Sequence, residues 1–177
     1  VERLQEGPGY QAWPDHVYGQ ALEAADKELA DYFRLLRWTG QRPQDVIAMT
    51  WQAVDRQAGY ITLKAQKTGE DVFVPLHPGL IADLDATPKR APQILTRASG
   101  RPWKSVNELA RRTREVMQAI GQEGRGYTPH GLRHTAGDAL AEAGCSQKQI
   151  QAVLGHKSAR MVERYTRTAD KKRLASA

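Results

Sequence analysis

Thr128-Pro129-His130-Gly131-Leu132-Arg133-His134 reads as the opening of a helix shaped to hold an anion. Pro129 suits a first helical position because its missing N–H would go unpaired there anyway, and Thr128 before it is a residue type that caps helices. His130 and Arg133 stand three apart and share a face of the first turn. Leu132, Ala136, Ala139, Leu140 and Ala143 continue at helical spacing, a stripe expected to face a core. A histidine and an arginine beside the unpaired N–H groups and positive end of a helix suit a phosphate. Taken alone, the segment also fits a local cap by His130 and a surface ion pair by Arg133, because short motifs match by accident.

Downstream, Ser146 and Gln149 form a capping box, Ile150, Val153 and Leu154 face inward, and Gly155 is placed to end that helix. Ser158 can cap a last helix carrying Met161, Val162 and Tyr165 on one side, followed by the basic tail Lys171-Lys172-Arg173. Upstream, the glycines of residues 121–126 mark a loop. Before it, Ser105 and Glu108 suggest a second capping box on a helix with Val106, Leu109, Thr113, Val116, Met117 and Ile120 inward. Arg111, Arg112 and Arg114 on that helix read as a solvated face. Ile61, Leu63 and Ala65, then Val72, Val74 and Leu76, alternate as a hairpin turning at Lys67-Thr68-Gly69-Glu70. A weak helix from about Gly79 to Asp85 and the apolar Ile94-Leu95 pair follow it. Still earlier, Leu22, Ala25, Leu29, Tyr32, Phe33 and Leu36 predict one amphipathic helix of about twenty residues. Gly40 stands at its end and Pro43 opens a short helix with Val46 and Ile47 inward. Residues 1–13, with Gly7, Pro8 and Gly9, read as a linker or N-terminal arm ahead of a domain over 14–177.

At 177 residues the chain suits one domain with a substantial core. Its 40% hydrophobic and 26% charged residues are ordinary globular values. The lone Cys145 excludes an internal disulfide and a cysteine metal site, and favours a reducing compartment. No apolar run approaches membrane-spanning length and no secretory signal is visible. A net charge of +6 points to a polyanionic partner, most economically nucleic acid.

Arg42 lies in the joint between two helices, Lys67 at a hairpin tip, His156 after a glycine helix stop, and Tyr165 on the final helix. Each alone has a plain structural explanation. Together they resemble the tyrosine recombinases, or phage-type integrases. Thr39-Gly40-Gln41-Arg42, with Asp45 three residues later, is similar to that family's first arginine box, and Gln66-Lys67-Thr68-Gly69 to its lysine turn. His130-Gly131-Leu132-Arg133-His134 is similar to its His-x-x-Arg box and Leu154-Gly155-His156 to its third box, with Tyr165 nine positions after His156. The resemblance runs from about residue 14 to the end, in the family's order.

The resemblance implies a mainly α fold with a small antiparallel β-sheet, the α+β fold of the tyrosine recombinase catalytic domain. It implies site-specific cleavage and rejoining of DNA through a 3′-phosphotyrosyl link, for integration or excision of a prophage or mobile element. Tyr165 would be the nucleophile, Arg42 and Arg133 clamps on the phosphoryl oxygens, and Lys67 the acid that protonates the departing 5′-oxygen. His130 would help deprotonate Tyr165 or steady the oxyanion, and His156 would donate to the phosphate. Asp45 would orient Arg42 or brace the site, and His134 would serve structural hydrogen bonding. No cofactor and no metal are implied. The partners would be double-stranded DNA at attachment or recombination sites and other copies in a tetramer, the isolated domain being a monomer. Accessory bending proteins or a directionality factor are further partners of that kind, and a cytoplasmic, bacterial or phage-encoded setting is expected. Family members usually carry an N-terminal DNA-binding domain, so an excised catalytic domain is expected here over an unusually short protein.

Three rivals stay open at this point. A type IB topoisomerase would use similar chemistry, but His156 and the Leu-Gly-His motif favour the recombinase. A zinc site at His130, His134 and His156 has the i, i+4 spacing, yet Gly131 stands where a metalloprotease helix needs glutamate. A non-catalytic DNA-binding module would leave Tyr165 without a purpose.

Overall fold

The computed structural model describes residues 9–66, 69–156, 158 and 160–175, without the side chains of residues 161, 168 and 172–175. The fold is mainly helical with one small antiparallel sheet, as expected. Among the described residues no helix is long and apolar enough to cross a membrane.

The twenty-residue helix is in fact two, α1 (Asp15–Ala24) and α2 (Lys27–Thr39). Asp26 makes the break: its carboxylate accepts from the Leu29 N–H at 3.1 Å and starts a new helix. The apolar period runs through the break because both helices lean on one core, so periodicity alone could not show it. Leu29, Tyr32, Phe33 and Leu36 are buried along α2. Each such burial contributes about 1.5–3 kcal/mol. Gly40 ends α2 at φ 63°, and a Cβ there would lie 2.5 Å from Leu154, so both backbone and space require glycine. This turn delivers Arg42 to the N-cap position of α3 (Pro43–Ala48).

A sheet of order β1-β2-β3 follows, from β1 (Val54–Asp55), β2 (Tyr60–Lys64) and β3 (Asp71–Pro75). Ile61 pairs with Val74 and Leu63 with Val72, which is the alternation read from the sequence. The two-residue β1, paired through Val54 and Ile61, is too short to leave a pattern. The weak helix is α4 (Pro78–Ala86), started by His77, whose Nδ1 accepts from the Gly79 N–H.

The capping box foreseen at Ser105 does not form. Val106 takes the N-cap position of α5 (Asn107–Ala119) without a side-chain cap, and Glu108 instead receives both guanidinium nitrogens of Arg97 at 3.2 and 2.7 Å. A bidentate ion pair outcompetes a single backbone contact. Arg112 also departs from a solvated face: its side chain is 15% exposed and bonds to Asp26 and Glu28, tying α5 to the start of α2.

Next come α6 (Pro129–Glu142), α7 (Gln147–Leu154) and α8 (Arg160–Ala175). The Ser146–Gln149 capping box is present and Gly155 closes α7 in the left-handed conformation. Leu132 and Ala136 are buried as expected, but Ala139 and Ala143 are exposed. They line an open cleft of about 350 Å³ with Leu140, Trp38, Leu76 and Val153. Small side chains at helical spacing mark a face, and that face is only partly covered.

Two hydrophobic clusters result. The larger gathers Trp13, Tyr32, Phe33, Leu36, Ile61, Val74, Leu109 and Leu132; the smaller gathers Ala141, Ile150, Leu154, Val162, Tyr165 and Ala169. Helix α6 contributes to both.

Candidate active site

Most of the predicted residues meet where α6, α7 and α8 converge on the Gly40 turn. Arg133 is buried, 1% exposed, and its Nη1 donates to the Gly40 carbonyl at 2.9 Å while Nη2 donates to the Leu154 carbonyl at 2.5 Å. Both acceptors are carbonyls left open at helix ends. The guanidinium therefore pins the ends of α2 and α7 to the first turn of α6. Five N–H donors are not exhausted by two carbonyls. Burial lowers the Arg133 pKa to about 10, with the Arg42 charge pressing the same way, so it stays cationic at neutral pH.

His156 follows the Gly155 stop, and its Nε2 lies 3.4 Å from Arg133 Nη2. An arginine can only donate, so that nitrogen accepts and the ring proton sits on Nδ1, which is buried and has no hydrogen-bond partner among the described residues. Burial, then the Arg133 and Arg42 charges, lower the His156 pKa to about 4, which keeps the ring neutral.

Tyr165 belongs to the smaller cluster and is 1% exposed. Its hydroxyl lies 2.8 Å from His134 Nδ1. Burial raises the phenol pKa, only partly opposed by Arg164 and Arg133, and lowers that of His134 to about 4. The pair is thus a neutral phenol on a neutral imidazole. Gly137, one turn beyond Arg133, makes room for the ring: a Cβ there would lie 2.7 Å from it.

Arg42 is 19% exposed, and its Nη1 stands 3.9 Å from Asp45 Oδ2, an ion pair too long for a hydrogen bond; both atoms are buried and have no hydrogen-bond partner among the described residues. The other oxygen of Asp45 accepts from the Gln66 N–H at 3.1 Å and so fastens the hairpin end to α3. Lys67 lies outside the described residues. His130 is half-buried, its ring 5.4 Å from the His134 ring in an edge-on arrangement. Thr128 does not cap α6 with its side chain, and its hydroxyl is a buried oxygen with no hydrogen-bond partner among the described residues.

Two features of the site escaped the sequence reading. Gly137 could have been flagged, because a glycine inside a helix costs about 1 kcal/mol against alanine and calls for a reason. Gln41, whose Nε2 donates to the Val153 carbonyl at 2.7 Å, left no signal beyond its neighbour Arg42.

Buried donors on Arg42 and His156 with no hydrogen-bond partner among the described residues, a cationic arginine and a tyrosine hydroxyl make a site that suits an anion and an oxygen nucleophile. Comparisons with known proteins point the same way. Tyrosine recombinase XerA of Pyrococcus furiosus is 26% identical over 147 residues, which are 77% of this chain and 49% of that protein. The type 1 fimbriae regulatory protein FimE of Escherichia coli K12 is 28% identical over 143 residues, 72% of this chain and 68% of FimE. A lambda integrase dimer bound to a COC′ core site superposes with a TM-score of 0.77 at 25% identity, covering 93% of this chain and 49% of the integrase. The chain spans about half the length of the tyrosine recombinases XerA and XerD. The family model described as the phage integrase family matches residues 15–172, and the chain belongs to that family.

Proposed function

We propose that this chain is the catalytic domain of a site-specific DNA recombinase that cleaves and rejoins DNA through a 3′-phosphotyrosyl intermediate. The observation that carries this reading is the Tyr165 hydroxyl on His134, with the His156 ring 6.4 Å from the Tyr165 ring and its Nε2 3.4 Å from Arg133. Solved relatives add support: they include lambda integrase as a dimer on a core site and as a tetramer on a Holliday junction.

Tyr165 Oη attacks the scissile phosphorus, the P–O5′ bond breaks, and the protein keeps the 3′-phosphate as an ester. The phenol proton passes to a histidine, the role the family resemblance gives to His130, and Lys67 supplies the proton that the 5′-oxygen takes up. Arg133 and Arg42 hold the non-bridging oxygens as charge gathers there, and the Nδ1–H of His156 is a donor with no other partner among the described residues. Asp45 keeps the hairpin end beside Arg42. One phosphoester replaces another, so a second 5′-hydroxyl reverses the step without ATP. With its phenol buried, the structure is a closed arrangement, and attack on an external phosphate requires Tyr165 to part from its cover. We further propose double-stranded DNA and a tetramer on it as the partners, a prophage or mobile element as the source, and the cytoplasm as the place of action.

The test is a pool of nicked suicide duplexes with a randomised core, incubated with the chain and run on a denaturing gel. Covalently captured DNA is then sequenced to give a fixed substrate. A covalent band in the wild type that disappears in Tyr165→Phe is expected. A band surviving in Tyr165→Phe would overturn the nucleophile assignment.

A further inference from the structure

The segment before α1 is strapped across the first turn of α6. Trp13, 1% exposed, anchors it: its backbone N–H donates to Thr135 Oγ1 at 2.7 Å, and its indole N–H donates to the Thr128 carbonyl at 2.9 Å. The Gln11 N–H reaches the Gly126 carbonyl at 3.1 Å. The strap passes so close to α6 that a Cβ on Gly131 would lie 2.1 Å from the Gln11 carbonyl oxygen. Gly131 is therefore the residue that lets the strap run across the first turn of α6 to reach His130. At the end of the strap stands Tyr10, 57% exposed, its ring centroid 4.6 Å from that of His130 and tilted by 45°.

An exposed aromatic has no core to fill, and this one spends a face on a histidine. His130 in turn meets His134 edge-on at 5.4 Å, and His134 meets Tyr165 at 6.0 Å between centroids. Four rings thus run in a row from the strap to the phenol.

We propose that Tyr10 is a positioning residue for His130, so that the segment preceding α1 sets the orientation of the histidine that serves the nucleophile. The inference rests on the recombinase reading. Tyr10 acts through His130 and touches no reacting atom. Its ring closes one side of the imidazole, His134 closes another, and rotamers that swing His130 away are disfavoured. An aromatic contact of this kind is worth about two- to tenfold in an equilibrium.

The experiment has two readouts on the whole chain. In the free protein, NMR of the imidazole C–H protons, with His130 assigned by His130→Gln, is expected to show its signals displaced in Tyr10→Ala and restored in Tyr10→Phe. With the captured duplex at saturating concentration, Tyr10→Ala is expected to form the covalent complex about two- to tenfold more slowly, at unchanged DNA affinity, with rescue by Tyr10→Phe. Unmoved His130 signals would overturn the contact. Weakened affinity with an unchanged saturating rate would make Tyr10 a DNA contact and overturn the positioning role. If the wild type forms no covalent complex with any duplex, the recombinase reading falls and takes this role with it. That outcome is distinct from a wild type that cleaves and a Tyr10→Ala variant that matches it.

Discussion

Arg133 holds together two jobs that are usually separate, fastening two helix ends and presenting positive charge. Its fork spans the Gly40 and Leu154 carbonyls at 2.9 and 2.5 Å, a geometry one ammonium cannot copy. Arg133→Lys is therefore expected to lower covalent-complex formation on the order of a hundredfold or more while leaving a folded protein. Rates on the captured duplex beside a thermal melt check it, and near-normal cleavage would remove the clamp role. The histidines carry a pH signature of their own. His134 and His156 have pKa values held near 4 by burial, against 6.5 when unfolded. Between those values the unfolded chain binds protons that the folded chain does not, so unfolding gains as pH falls. The stabilising contribution of the neutral rings is complete above about pH 6.5 and is lost on the way down to about pH 4. Melting temperatures across that range should fall, and His134→Gln with His156→Gln should flatten the slope. A double variant that melts with the wild-type pH slope would contradict the buried neutral pair.

Among elements, α6 decides most of the site, and it was also the most readable part of the chain. Pro129, His130 and Arg133 announce a helix start and its charge, and the capping box at Ser146 with Gly155 announces α7 and the position of His156. What stayed hidden depends on contacts from elsewhere. Asp26 broke a continuous period, Arg97 drew Glu108 out of a cap, and the strap from Gln11 to Trp13 carries no period at all. Helical spacing shows which side chains share a face, not what covers it, which is why Ala139 and Ala143 came out exposed. Gly137 turns this into a test. In an open helix position, Gly→Ala stabilises by about 0.5–1 kcal/mol, and Gly19 on α1, with no atom within 4 Å of an added Cβ, should do so. At Gly137 the Cβ would press the Tyr165 ring from 2.7 Å, and crowding of that kind costs about 1–3 kcal/mol. Gly137→Ala is thus expected to melt lower than Gly19→Ala and to cleave more slowly, because the ring shifts off His134. Equal gains in melting temperature at both positions would show that the ring is not seated against the helix.

For the whole molecule, the division into two clusters places the nucleophile on the less secured part. Helix α2 buries Leu29, Tyr32, Phe33 and Leu36 in the large core, whereas the described side chains that hold α8 in the small one are Val162, Tyr165 and Ala169. Its polar ties among the described residues include the part-buried Tyr165 hydroxyl on His134 at 2.8 Å and the exposed contact of Gln147 to Thr166 at 3.1 Å, and exposed contacts of the second kind contribute little. Elements with few buried apolar contacts open by sub-global unfolding, at lower free energy than the main core. A closed phenol that has to reach an external phosphate needs such an opening. Exposing the small cluster frees Tyr165 while Arg133 still pins α2 to α6 through the Gly40 carbonyl. Hydrogen exchange resolved by segment is expected to show α8 amides at least about tenfold less protected than those of α2, a gap of about 1.4 kcal/mol in opening free energy. Tyr165→Ala should widen it by removing the largest side chain of the small cluster, with α2 little changed. Equal protection of α8 and α2 in the wild type would mean that the phenol is released only by global unfolding, and delivery of the nucleophile by an opening of α8 would then be wrong.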